Sequence, residues 1–310
     1  MEDVLNKPLI SYVVTTYNIE KFVEESIRSA FSQTYSPLEI VLSDDCSTDR
    51  TFEIIKELAE QYNGPHRIVL NRNEVNLGIT KHMNKAYLGI ATGEIIVAAH
   101  GDDVSAADRT EKSYEFLKAH PEFTAVSFSM EAVNENGTHI KGHSAVVDTI
   151  HTYTFEHPGN IPAPSRCFYK KVMEVFGPLN DDCPTEDELI SFRALLLGKN
   201  AFLPDCLVKY RKHSNSSSNP ENFSQFPLER ILKQQDDDML KAVNLGLITD
   251  EQRRKRYSEL KRSMFIRQKY RKYYASRKWT DLLALILSNK VSIRRKCGYL
   301  KEHIFYLFIH

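Results

Sequence analysis

Four short apolar runs, each followed by a longer stretch of helical period, fill the chain from residue 9 to about residue 130. LISYVVTT (9–16), LEIVLS (38–43), RIVL (67–70) and EIIVAA (94–99) read as buried strands, because a strand covered on both faces is near-continuously apolar. Between them, residues 20–33 space Phe22, Val23, Ile27, Ala30 and Phe31 for one helical face, and residues 49–62 do the same with Phe52, Ile55, Leu58 and Ala59. Further helices are expected around 80–91 and 106–119. This βαβα order predicts an α/β fold with a Rossmann-like, mostly parallel central sheet and helices on both faces.

In such sheets the ligand sits beyond the carboxyl ends of the strands, so the polar residues there are the candidates for chemistry. The first strand ends in Thr15, Thr16, Tyr17 and Asn18, the second in Ser43, Asp44, Asp45, Cys46 and Ser47, and the fourth in His100, Gly101, Asp102 and Asp103. Asp102 and Asp103 offer hard oxygen ligands suited to Mg2+ or Mn2+; the bland reading is that Asp103 or Ser105 caps the next helix. Near Asp44 and Asp45, Ser47 or Thr48 is expected to cap a helix, with Asp49 against its dipole, which leaves the two earlier acids without a structural task. Glu186, Asp187 and Glu188 precede the apolar run LISFRALLLG. They are either first-turn acids of a helix or a source of a general base. His213 can complete a metal shell, and Arg211 or Lys212 can neutralise phosphate. His82, His100 and His143 read as ordinary surface or packing residues.

Taken in order, V-V-T-T-Y-N, D-D-C-S-T-D-R-T, N-L-G-I-T-K-H-M-N-K-A, A-H-G-D-D and P-T-E-D-E resemble glycosyltransferase family 2, the inverting nucleotide-sugar enzymes of the GT-A fold, over roughly residues 8–215. The resemblance implies nucleotide-sugar contacts from Thr15, Tyr17, Asp44, Asp45, Asn76, Lys81 and Asp102. It implies metal ligation by Asp103, Asp102 and His213, with Mn2+ or Mg2+ as cofactor, and catalysis by Asp187 with Glu186 beside it. Relatives reading D-x-D-D carry an acid where this chain has His100. The Y-R-K-H-S-N-S-S segment looks like the subgroup that builds bacterial surface polysaccharides. The expected activity is hexosyl or N-acetylhexosaminyl transfer from a nucleoside-diphosphate sugar, UDP-linked, to a hydroxyl of a glycan or polyprenyl-diphosphate-linked glycan. A non-catalytic nucleotide-sugar-binding or scaffold protein on the same fold is the alternative. A dinucleotide-dependent oxidoreductase is disfavoured, since no G-x-G-x-x-G follows the first strand.

Net charge is zero, from 41 basic and 41 acidic side chains, yet residues 251–310 carry 17 Lys and Arg against 4 Asp and Glu. That region is +13 and residues 1–250 are −13. The expected organisation is a catalytic domain over 1–225, with a nucleotide-sugar half over about 1–130 and an acceptor half over about 131–225, followed by a basic helical region over 226–310. Interleaved with Met264, Phe265, Ile266, Tyr270, Tyr273, Tyr274 and Trp279, the basic residues suit an anionic membrane surface, or a solvated face of packing helices. No nucleic-acid module is recognisable. The longest apolar runs, 282–287 and 304–309, fall short of the ~20 residues a spanning helix needs. Five scattered cysteines form neither a C-x-x-C pair nor a disulfide framework. With acidic rather than basic residues at the N-terminus, these features predict a cytoplasmic protein, peripheral at the inner membrane.

Overall fold

The structure is a computed structural model that describes residues 7–142, 144–159, 161–181, 183, 186–214, 227–276, 278–288, 291–292 and 296–300. His143, most of the Ser/Asn-rich stretch 213–224 and the apolar run 304–309 lie outside the described residues. The chain divides into two compact units, Met1–Ser216 and Ser217–His310.

The first unit is built on one nine-stranded sheet. β1 (Ile10–Thr16), β2 (Leu38–Asp44), β3 (Arg67–Arg72) and β4 (Ile95–His100) pair in parallel in the order β3-β2-β1-β4. The crossovers are α1 (Val23–Phe31), α2 (Thr51–Gln61) and α3 (Ile79–Asn84), the last prolonged by a π-turn over Lys85–Ile90. Every residue of β1 and β2 is buried, which accounts for their mainly apolar character. The chain winds outward from β1 to β3, then returns past β1 to β4. Strand order therefore reverses between β1 and β4, the position where such sheets open a crevice for ligands.

Beyond β4 the sheet becomes mixed. A two-residue strand β5 (Val104–Ser105), the helix α4 (Arg109–Ala119), the long β6 (Phe123–Val133), β7 (His151–Tyr153) and β8 (Cys167–Tyr169) follow in sequence. After them come α5 (Lys171–Glu174), α6 (Asp187–Leu197) and β9 (Lys199–Arg211). β8 runs antiparallel between β4 and β6, β6 and β9 are parallel, and β5 and β7 both pair antiparallel with β9. Tyr12, Val14, Ile27, Ile40, Leu42, Ile95, Val97 and Phe128 share one core cluster. Arg109, fully buried, donates to Ser105 Oγ at 2.9 Å and to the Ala98 carbonyl at 2.6 Å, which offsets part of the cost of burying its charge.

The second unit contains α7 (Leu228–Asn244), α8 (Asp250–Ser276) and α9 (Trp279–Ile286). Ile266, Tyr273, Leu282, Leu285 and Val291 form its own small core. α9 buries Leu282 and Leu285 but leaves Trp279, Leu283 and the following Leu287 exposed at 48, 45 and 77%. No helix among the described residues is long and apolar enough to cross a membrane.

Candidate functional site

The site begins with the turn that follows β4. Gly101 donates to the Thr15 carbonyl at 2.9 Å, and Asp103 donates its N–H back to the His100 carbonyl at 3.1 Å. A Cβ on residue 101 would stand 2.5 Å from both Ile19 Cδ1 and Thr16 Cγ2, so only glycine lets this turn press against β1. The fold-back brings ligand atoms of His100, Asp102 and Asp103 within 4.8 Å of one another.

The three side chains differ in surroundings. Asp103 is 3% exposed; its Oδ1 accepts the Arg211 N–H at 2.8 Å, while no hydrogen-bond donor reaches Oδ2, 3.7 Å from His100 Nδ1. Burial, then the charge of Asp102, push its carboxyl well above the usual range. Asp102 Oδ2 is hydrogen-bonded to His213 Nε2 at 2.9 Å, with the imidazole packed 4.9 Å from the Phe22 ring. An orphaned buried carboxylate oxygen facing an imidazole nitrogen, beside a second carboxylate, fits a divalent cation. His100, read from sequence as an ordinary surface or packing residue, stands in the candidate metal group. His213 lies outside that group and meets it through Asp102.

The loops after β1 and β2 are tied to one another by acids. Asp44 accepts the Ser47 N–H at 2.9 Å and the hydroxyls of Ser47 and Thr16 at 2.5 and 3.1 Å. Asp45 accepts the N–H groups of Leu77 and Gly78, each at 2.9 Å, and Asn73 Nδ2 at 2.8 Å. Both acids thus have structural tasks that sequence reading denied them. The expected caps are also different. Ser47 and Thr48 bind Asn18 instead, through Ser47 Oγ and the Thr48 N–H, and Asp49 accepts the Thr51 N–H at 3.0 Å at the start of α2. Asn18 and Cys46 adopt left-handed φ of 51° and 63° to make these loops close. Asp103 does not cap α4, because its carboxylate is turned to Arg211.

The second acidic pair opens α6; Thr185 itself lies outside the described residues. Glu186 is buried, and burial, then the charge and hydrogen bond of Asp187, push its carboxyl well above the usual range. Burial pulls Asp187 upward too. Its side chain is nevertheless 43% exposed, and the Arg166 charge, the Glu186 hydrogen bond and His100 hold it below its usual value. Burial and its neighbour thus move Glu186 up while Arg166 moves Asp187 down, which makes Asp187 the more acidic member of the pair. Arg166, 1% exposed, donates to the Asp187 carbonyl at 2.6 Å, to Ser191 Oγ at 3.0 Å and to Asp187 Oδ1 at 3.2 Å. Its own carbonyl accepts the Ala98 N–H of β4 at 3.0 Å, which anchors the pair to the strand that ends in His100. Sequence reading missed Arg166, since one arginine in a loop carries no pattern.

The remaining expected residues are arranged as follows. Thr15 is buried, with Oγ1 3.5 Å from the Ala99 carbonyl, and Tyr17 is 45% exposed. Asn76 Oδ1 accepts the Gly78 N–H at 2.8 Å, and Lys81 pairs with Asp181 at 3.3 Å. Arg211, one of two residues read as able to neutralise phosphate, is an internal clamp. It donates to Asp102 O, Asn134 O, Glu135 O and Glu25 Oε2.

The chain is similar to several known proteins. Residues 11–180 match the family Glycosyl transferase family 2. An uncharacterized glycosyltransferase of Haemophilus influenzae is 29% identical over 245 residues, 74% of this chain and 73% of the relative. Putative glycosyltransferase EpsE of Bacillus subtilis is 38% identical over 130 residues, 42% of this chain and 46% of the relative. Among solved structures, S. aureus TarS 1-349 superposes with TM-score 0.65 at 19% identity over 89% of this chain and 78% of its own. Mannosyltransferase PcManGT from Pyrobaculum calidifontis, solved with GDP-Man and Mn2+, superposes at 0.60 and 18% identity over 97% and 81%. These structural likenesses agree with a GT-A fold. With more than half of its length matched to one family, this chain belongs to glycosyl transferase family 2.

Proposed function

We propose that the chain is an inverting glycosyltransferase that moves a hexosyl or N-acetylhexosaminyl group from a UDP-linked sugar to a hydroxyl of a glycan or polyprenyl-diphosphate-linked glycan in cell-surface polysaccharide synthesis. The observation that carries this reading is the buried Arg166 guanidinium held against Asp187, with the Arg166 carbonyl bonded to the strand that ends in His100 and leads into Asp102 and Asp103. Related names support the setting: EpsE, the putative teichuronic acid biosynthesis glycosyltransferase TuaG, and TarS solved with UDP and UDP-GlcNAc.

Asp187 takes the proton of the acceptor hydroxyl, since an ionised, partly exposed carboxylate is the competent base. Burial and the neighbouring charge raise the Glu186 carboxyl, which favours Asp187 as the charged member of the pair. Arg166 fixes the direction of the Asp187 carboxylate. Attack by the acceptor oxygen opposite the departing diphosphate inverts the anomeric configuration. Asp102, Asp103 and His100 would hold a divalent cation, which would supply charge stabilisation to the leaving diphosphate. Thr15, Tyr17, Asp44, Asp45, Asn76 and Lys81 line the nucleotide side of the rim, Asp44 and Asp45 by fixing its loops. The basic C-terminal unit holds the enzyme peripherally on the anionic cytoplasmic leaflet, where a lipid-linked acceptor is presented.

Asp187→Asn tests the assignment. Transfer is expected to fall by 10²-fold or more, the order associated with general base catalysis, while donor binding followed by calorimetry persists. Wild-type transfer in that variant refutes the base assignment.

A further inference from the structure

Resting on the glycosyltransferase reading, we infer that His100 is a direct nitrogen ligand that shifts the metal site from hard cations toward borderline ones, favouring Mn2+, Co2+ and Ni2+ over Mg2+.

The argument starts from the buried oxygen that nothing satisfies. Asp103 Oδ2 has no hydrogen-bond donor, in a side chain only 3% exposed, and leaving such an atom bare is costly. His100 Nδ1 stands 3.7 Å from it. That separation is too long for a hydrogen bond. Two donors each about 2.1 Å from one ion stand at most about 4.2 Å apart, so the pair can close on a shared cation with little movement. Asp102 completes a set whose ligand atoms lie within 4.8 Å.

Three features hold the imidazole there. His100 ends β4 in register with Thr15, Gly101 presses the turn against β1, and the His100 carbonyl receives both the Asp103 N–H and Ser26 Oγ. Its side chain is 27% exposed, which leaves the ring accessible from solvent. His213 is separately engaged with Asp102 Oδ2 at 2.9 Å and acts as an orienting neighbour of that ligand.

Ligand chemistry then sets the preference. Mg2+ takes oxygen ligands and sheds its water reluctantly, whereas imidazole suits the later first-row ions, whose affinities rise from Mn2+ through Co2+ to Ni2+. One nitrogen with two carboxylates gains along that series. An all-oxygen set gains less.

The test uses metal-stripped full-length protein and metal ions alone. Wild-type protein saturated with Mn2+, as judged by loss of the free-ion resonance, is expected to show 14N modulation from one bound imidazole in pulsed electron paramagnetic resonance. His100→Ala is expected to lose that modulation and His213→Ala to keep it. By calorimetry, Co2+ should bind wild-type protein at least about tenfold more tightly than Mg2+, and His100→Asp should narrow that ratio. Thermal melts establish that each variant is folded. The inference is overturned if no Mn2+ binds, if the modulation is absent or survives His100→Ala, or if His100→Asp leaves the ratio unchanged. Normal nitrogen coupling in a protein that turns over no nucleotide sugar refutes the proposed function alone; transfer without coupling refutes this inference alone.

Discussion

Replacing Gly101 by alanine adds one methyl group where two strands meet, and the structure says what it strikes. The new Cβ would lie 2.5 Å from Ile19 Cδ1 and 2.5 Å from Thr16 Cγ2, with the Thr15 carbonyl oxygen at 3.3 Å. The Ile19 contact is the end of a flexible side chain and can swing away. Thr16 cannot, because its hydroxyl is bonded to the Ser43 carbonyl at 3.2 Å and to Asp44 Oδ1 at 3.1 Å. Rotating Cγ2 aside breaks both bonds, so the turn itself must lift from β1. Overpacking of this kind costs about 1–3 kcal/mol, which for a domain of this size lowers Tm by roughly 2–12 °C. Lifting the turn also separates His100 from Asp103, so Mn2+ affinity should fall with Tm. Thr16→Ser removes the offending methyl and keeps the hydroxyl. The double variant should therefore be more stable than the sum of the single effects allows, a favourable coupling measurable by thermal or denaturant melts. An unchanged Tm in Gly101→Ala, or strict additivity in the double variant, refutes the reasoning.

Arg166→Met removes the cation that holds Asp187 low, so the acid limb of the kcat/KM profile should move to higher pH, with Arg166→Lys intermediate; superimposable profiles contradict the positioning role. Glu39 is fully buried, and although burial raises its carboxyl, hydrogen bonds from Ser11, Thr92 and Gly93 bring it below the ordinary 4.5. A depressed carboxylate contributes stability that is complete above its unfolded value and is lost as pH falls through its folded one. The stability gap between wild type and Glu39→Gln, about 1–3 kcal/mol at neutral pH, should therefore shrink below pH 4.5 in urea melts; a gap that widens there reverses the sign and sinks the account. Wild-type protein should float with vesicles rich in anionic lipid and less with zwitterionic ones, and a Trp279→Ser, Leu283→Ser, Leu287→Ser variant should float less; equal flotation removes the membrane role of α9.

Periodicity was enough to read the parallel half of the sheet. β1, β2 and β4 begin and end within a residue or two of the apolar runs, because strands buried on both faces leave little room for polar side chains. β6 was harder: FTAVSFSMEAV mixes polar and apolar residues, and its register with β9 shifts at Phe128 and Ser129. Such bulges scramble the period that sequence reading depends on. Within the site, the acids were legible by type and by strand-end position, but their tasks were not. Asp45 serves amides at Leu77 and Gly78, over 30 positions away, and only tertiary structure brings those together. His100 needed the Gly101 turn to become a candidate ligand, and Arg166 is a buried charge that apolar patterning makes invisible.

The bonds from Asp44 and Asp45 have a thermodynamic consequence for ligand entry. The amides of Ser47, Leu77, Gly78 and Gly101 are already committed, three of them to these two carboxylates and the last to Thr15. On the proposed function these loops form the nucleotide side of the rim; they are ordered before any donor arrives, and binding need not freeze them. Donor association should then show only the modest heat-capacity change of surface burial, without the larger signature of coupled folding. These same amides should resist hydrogen exchange in the free protein about as well as in the loaded one.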